Sequence, residues 1–116
     1  MLFRSLEEAD RAEAYLSRVL DIGQLMLQSG GEVSRVEDSI RRLCVAFGAE
    51  RADVFSITSS IIVTISSPAY GTLTQTRRVA GADYDLTRLE QLNQLSRRIC
   101  SEQMRLEEME IGRAHV

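Results

Sequence analysis

The spacing of the apolar side chains changes at Gly48, and this change constrains the fold more than any other feature of the sequence. Before Gly48, apolar residues recur every three to four positions, which is typical of amphipathic helices. After it, apolar and polar residues alternate, which indicates strands, until a helical spacing returns at Leu86. The sequence therefore predicts an α+β domain in which a small antiparallel sheet is covered on one face by helices. The predicted helices cover residues 14–29, 32–47 and 86–103, and the predicted strands cover 53–58, 60–66 and 72–79.

Glycine and short polar residues mark the ends of these elements. Residues 30–31, both glycine, end the first helix and predict a tight helical hairpin, because glycine readily adopts the left-handed geometry of a helix terminus. Ser34 and Glu37 have the spacing of a capping box at the start of the second helix. We expect Asp83 or Asp85 to cap the last helix.

The charged and reactive residues exclude several classes of function. The net charge is −3, with 17 acidic and 14 basic residues spread along the chain, so we expect no nucleic-acid partner. Every basic residue is Arg, which leaves no Lys for a phosphate loop or a Schiff base. A single His115 and two distant cysteines, Cys44 and Cys100, offer neither a His-based triad nor a zinc site. We therefore predict no catalytic residue, no metal and no cofactor.

The sequence contains no membrane span and no secretion signal. The longest uninterrupted apolar run, 61–63, is far shorter than the roughly 20 residues that cross a bilayer. Residues 1–13 are a polar segment without the apolar core of a signal peptide, so we expect the chain to begin in the cytoplasm. Residues 14–108 are expected to form the domain. Residues 109–116 are expected to be a tail left by truncation, because 110–116 look like translated sequencing adaptor.

The face of the sheet away from the helices has two interpretations. We expect many hydroxyl side chains on this face, flanked by Arg77 and Arg78. Either they form a solvated surface with good strand propensity, or they bind a carboxylate or another small anion. In both cases the face is expected to be small and hydrated rather than apolar. The hydroxyl residues are Ser56, Thr58, Thr64, Thr72, Thr74 and Thr76.

Four segments carry a recognisable pattern: 20–38 (LDIGQLMLQSGGEVSRVED), 53–60 (DVFSITSS), 74–78 (TQTRR) and 85–98 (DLTRLEQLNQLSRR). Together they resemble the signature of the threonine/serine exporter family. They occur in the family's order and spacing, and the similarity extends over residues 14–108. The resemblance implies the N-terminal cytoplasmic domain of an inner-membrane protein that exports small amino acids, or a dicarboxylate in a branch split over two proteins. The partner it implies is the protein's own transmembrane part, which is missing from this chain, or a separate membrane subunit.

Three hypotheses describe what such a domain contributes to export. It is a regulatory or coupling module beneath the membrane bundle that meets the solute on its sheet, or an assembly module that docks onto a copy of itself or a split partner. The third hypothesis is an enzyme that uses Glu32, Glu37 or Asp38 as acid or base, which the lack of a nucleophile motif disfavours. From the resemblance and their chemistry, the candidate substrate-binding or coupling residues are Glu37, Thr58, Ser59, Thr74, Thr76, Arg77 and Arg78.

Overall fold

The computed structural model describes residues 2–102, with side chains from Leu6 onward. It confirms the predicted α+β fold and the order helix, helix, strand, strand, strand, helix. The predicted tail, 109–116, lies outside the described residues. The helices are α1 (Leu2–Gln28), α2 (Val33–Ala46) and α3 (Leu86–Glu102), and the strands are β1 (Arg51–Ile57), β2 (Ser60–Ser67) and β3 (Gly71–Arg78).

Helix α1 begins earlier than the hydrophobic pattern predicts. It starts at Leu2 rather than near residue 14, so residues 2–13 of the polar segment belong to the helix. Glu, Ala and Arg dominate residues 7–13, and these are good helix formers even without an apolar stripe. Ala12, which is 7% exposed, already belongs to the core.

The turn between α1 and α2 confirms the predicted glycine hairpin. Gly30 has φ +102°, and the Gly31 N–H donates to the Met26 carbonyl oxygen at 2.8 Å, which satisfies a free carbonyl of the last turn. The predicted capping box is wrong, because the N-cap of α2 is Glu32 and Ser34 lies inside the helix. The Ser34 hydroxyl instead donates to the Glu32 carboxylate at 2.8 Å.

The sheet has the order β1-β2-β3, and both strand pairs are antiparallel. Alternate residues of each strand face the helices, as the central strand shows with Ile61, Val63 and Ile65, all 5% exposed or less. We call the opposite side the outer sheet face. The helices α1 and α2 cover the inner face, α1 next to β3 and α2 next to β1, and α3 packs against both helices.

The core lies between the helical hairpin and the inner sheet face. Helices α1 and α2 approach closely at Gly23, where a Cβ atom would be 2.6 Å from Cδ1 of Ile40. The same Cβ atom would be 3.5 Å from Cδ1 of Ile61, so three elements meet at this point. The largest side chains with under 2% exposure are Leu16, Leu20, Ile22, Met26, Ile40, Leu43, Ile61, Leu92 and Ile99.

The loop between β3 and α3 is fixed to the end of α1. The Asp83 N–H donates to the Gln28 carbonyl at 2.7 Å, and the Asp85 N–H donates to the Ser29 carbonyl at 3.1 Å. The Asp85 carboxylate accepts a hydrogen bond from the Arg88 N–H at 2.9 Å, which confirms Asp85 as the cap of α3. The loop therefore satisfies the carbonyl of the last residue of α1 and that of the residue after it, and it starts the next helix.

Replacing Ile40 with Ala should lower the free energy of unfolding by about 2–5 kcal/mol, because the side chain is 0% exposed at the meeting point of three elements. The matched control is Val45→Ala in the same helix, where the side chain is 53% exposed and the change should stay within about 0.5 kcal/mol. Urea unfolding followed by circular dichroism measures both. Equal losses in the two variants would contradict this description of the core.

Candidate functional site

The outer sheet face combines apolar, hydroxyl and cationic side chains. Three strand residues with large apolar side chains, Phe55, Ile57 and Ile62, are 62%, 48% and 40% exposed. The sequence-based expectation of a small, hydrated face is therefore wrong. In β1, both the odd-numbered and the even-numbered residues include apolar side chains. Alternation alone therefore does not show which of the two sets faces the helices. The described residues that form this face are Arg51, Asp53, Phe55, Ile57, Ser60, Ile62, Thr64, Ser66, Thr72, Thr74, Thr76 and Arg78.

Cross-strand pairing arranges these residues in rows. Phe55 is opposite Ile62, which in turn is opposite Thr76, so an apolar pair continues into a hydroxyl. In the neighbouring row, the hydroxyl oxygens of Thr64 and Thr74 are 2.8 Å apart and form a hydrogen bond. The two threonines satisfy each other and stiffen the sheet, as cross-strand Thr pairs do.

Arg77 and Arg78 lie on opposite faces of β3, because successive side chains of a strand alternate. Arg77 faces α1, where its guanidinium pairs with the carboxylate of Asp21. It also donates to Oε1 of Gln24 at 3.2 Å and to the carbonyl oxygen of Ser17 at 3.3 Å. The prediction that both guanidiniums flank one hydroxyl face is therefore wrong.

Arg78 differs from Arg77 in its surroundings as well as its direction. Its side chain is exposed on the outer sheet face, in the row of Ser60 and Ile57. Among the residues with described side chains, no carboxylate lies within 4.0 Å of its guanidinium. Arg78 is thus available to an anionic group that approaches this face.

Glu37 and Ser56 also have structural roles. Oε2 of Glu37 accepts a hydrogen bond from the Ser56 N–H at 2.6 Å, which links α2 to the edge strand β1. Ser56 is only 5% exposed and lies on the inner side, so the predicted hydroxyl face does not include it. Because β1 is an edge strand, the Ser56 N–H has no neighbouring strand on its outer side, and the Glu37 carboxylate accepts its hydrogen bond instead.

Thr58 and Ser59 form the exposed turn between β1 and β2. The Ser59 carbonyl accepts a hydrogen bond from the Val79 N–H at 2.8 Å, so the turn lies beside the end of β3 that carries Arg78. Of the candidate residues, the structure brings Thr74, Thr76 and Arg78 onto one face, with the Thr58–Ser59 turn at its end. Glu37 and Arg77 are engaged on the helical side.

Neither cysteine is activated as a nucleophile. Burial raises the pKa of Cys44 to about 12, so its thiol stays protonated at neutral pH. Burial also raises the pKa of the Cys100 thiol. Within residues 2–102, no three His, Cys, Asp or Glu side chains are grouped to hold a metal ion. In the same part of the chain, no helix has both the length and the hydrophobicity needed to cross a bilayer.

Comparison with known proteins gives one match. A family model described as "putative threonine/serine exporter" matches residues 17–111, more than four-fifths of the chain. Searches of curated proteins and of solved structures found no match.

The neighbouring arginines of β3 provide a matched pair for testing this geometry. Arg77→Gln should lower the free energy of unfolding by about 1–3 kcal/mol, because it leaves the Asp21 carboxylate, which is 14% exposed, without its partner from the sheet. Arg78→Gln should change it by no more than about 0.5 kcal/mol, because the side chain is exposed. Urea unfolding of the two variants measures the difference. The opposite order, or equal effects, would contradict the assignment of the two faces.

Proposed function

The chain belongs to the threonine/serine exporter family, and from this premise we propose that it is a regulatory or coupling domain of an exporter of small amino acids. In this proposal the domain lies on the cytoplasmic side of the inner membrane. Translocation then takes place in a membrane-spanning part, which belongs either to the intact protein or to a separate subunit. The domain itself performs no catalysis.

The observation that supports this proposal best is the outer sheet face. A contiguous exposed apolar surface with a polar rim is typical of a protein docking site. Ile62 lies on the central strand of this face with Phe55 opposite it on β1, and Arg78 adds a cation without a described partner. A small hydroxylated amino acid has too little apolar surface to cover such a patch. The face therefore fits a larger partner, and the membrane part of the exporter is the partner that we propose.

Thr74, Thr76 and Arg78 extend the same face with polar contacts. Their hydroxyls and guanidinium suit the carboxylate and hydroxyl of threonine or serine if the solute passes close to the docked face. Arg77 is not part of this surface, because it faces α1. Coupling would then arise because docking and solute contact share adjoining residues.

A second candidate function is the assembly domain of a two-component dicarboxylate exporter of the succinate type. The same apolar row favours it, because an exposed sheet face can dock onto an identical face related by a two-fold axis. In that case the face would be covered by a second copy of the chain. The two candidates differ in the partner that covers Phe55 and Ile62: the membrane part in the first, and a second copy of this chain in the other. This difference can be measured.

Export by the intact protein that contains this domain tests the first candidate. Phe55→Ser should lower threonine or serine export about tenfold or more, because the largest apolar side chain of the docking face is lost. The control is Val45→Ser, which removes an apolar side chain of 53% exposure on α2 and should leave export unchanged. Export is measured as solute released from preloaded cells, and expression is checked by immunoblot.

Analytical ultracentrifugation of the chain separates the two candidates. A monomer whose Phe55→Ser variant impairs export supports docking onto the membrane part. A stable dimer that Phe55→Ser dissociates supports the assembly role instead. Unchanged export with a well-folded, well-expressed Phe55→Ser variant would argue against both.

A further inference from the structure

A second polar feature lies on the helical side of the molecule, away from the sheet. A groove of about 360 Å³ runs between α2 and α3, and we call it the α2–α3 groove. No acidic side chain lines it, although the chain as a whole carries a net charge of −3. The lining residues that concern us are Ser39 and Arg42 of α2 and Asn93, Ser96, Arg97 and Cys100 of α3.

Ser96 is the least expected residue in this groove. It is 5% exposed, yet its hydroxyl forms no hydrogen bond with another described residue. A serine inside a helix commonly bonds back to a carbonyl of the preceding turn, but the Ser96 hydroxyl does not and is open to the groove instead. The side chain lines the groove, so a ligand oxygen there would satisfy it. The amide of Asn93, one turn earlier, likewise has no hydrogen-bond partner among the described residues.

The two walls each contribute one guanidinium. Arg42 pairs with Asp38 at 3.1 Å, and Arg97 pairs with Glu90 at 3.7 Å, but neither carboxylate lines the groove. A guanidinium has five N–H donors, so one such contact leaves most of them free. The positive charge of Arg42 opposes the rise that burial causes in the pKa of the Cys100 thiol, which shows that this guanidinium acts across the groove on α3.

We propose that the α2–α3 groove binds a small dianion, either inorganic phosphate or a short dicarboxylate. Arg42 and Arg97 hold its negative charge from the two walls, and Ser96 and Asn93 donate hydrogen bonds at the base. Guanidinium groups suit both ligands, because their planar N–H pairs match carboxylate and phosphate oxygens. A ligand with a single negative charge engages only one wall and binds more weakly. This site is separate from the outer sheet face, so it does not depend on the proposed docking role.

The full-length chain is titrated with phosphate and, separately, with succinate, at an ionic strength kept constant with sodium chloride. Two-dimensional NMR of the amide groups should show saturable shifts concentrated in residues of the α2–α3 groove. Arg97→Gln should weaken binding about tenfold or more, since it removes a charge-assisted contact. Ser96→Ala should weaken binding several-fold. The ligand with the lower dissociation constant shows whether the groove prefers phosphate or a dicarboxylate.

Arg98→Gln is the matched control, because Arg98 is the next residue of α3 and pairs with Glu102 outside the groove. It removes the same charge from the same helix and should change the dissociation constant less than twofold. If Arg97→Gln and Arg98→Gln weaken dianion binding equally, the binding reflects general charge attraction rather than a site in the groove, and the proposal is overturned. The absence of saturable shifts with both dianions would overturn it as well. Arg42→Gln provides a second test, on the other wall, if Ser96→Ala alters the fold seen by circular dichroism.

Discussion

A three-stranded sheet that is covered on only one face sorts every strand residue into one of two environments. Alternation along β3 sends Arg77 toward α1 and Arg78 away from the helices, although the two residues are adjacent and chemically identical. The same rule places Val63 in the core and Ile62 on the surface. The positions of the helices, the core and the exposed apolar row all depend on this division, because one register shift would exchange the two faces.

The segments that resemble the exporter family are joined to one another by polar contacts between distant parts of the chain. Asp21 of the first segment pairs with Arg77 of the third, and Glu37 of the first accepts the Ser56 N–H of the second. The hydroxyl of Ser29, which is 0% exposed, accepts a hydrogen bond from Nε of Arg88 in the fourth segment at 2.7 Å. Buried polar groups are costly without partners, so each of these contacts specifies one arrangement of the elements. Much of the signature therefore maintains the fold, and fewer of its residues remain for a ligand or a partner.

Two surfaces with different chemistry remain after the structural contacts are assigned. The outer sheet face exposes apolar side chains on β1 and β2, Phe55 and Ile62 among them, which suits a protein partner. The α2–α3 groove is polar and cationic, and the Ser96 hydroxyl that lines it lacks a hydrogen-bond partner among the described residues. The groove lies between helices on the other side of the core, so occupation of one surface does not block the other. If both proposals hold, the domain docks through its sheet and binds an anion between its helices, and the two events take place on separate surfaces.

The sequence by itself determined the number, type and order of the elements. Periodicity reports which residues an element buries, and glycines such as Gly30 report where the chain turns, so these features are local. Which alternate side chains of β1 face the helices is not a local feature. Both Val54 and Phe55 are apolar, and only packing against α2 decides which of the two is covered. The partners of Arg77 and Glu37 also required the tertiary structure, since each lies 19 or more residues away along the chain. Ser96 and Arg42 share a groove only because α2 and α3 pack side by side, and no sequence pattern encodes the distance between two helices.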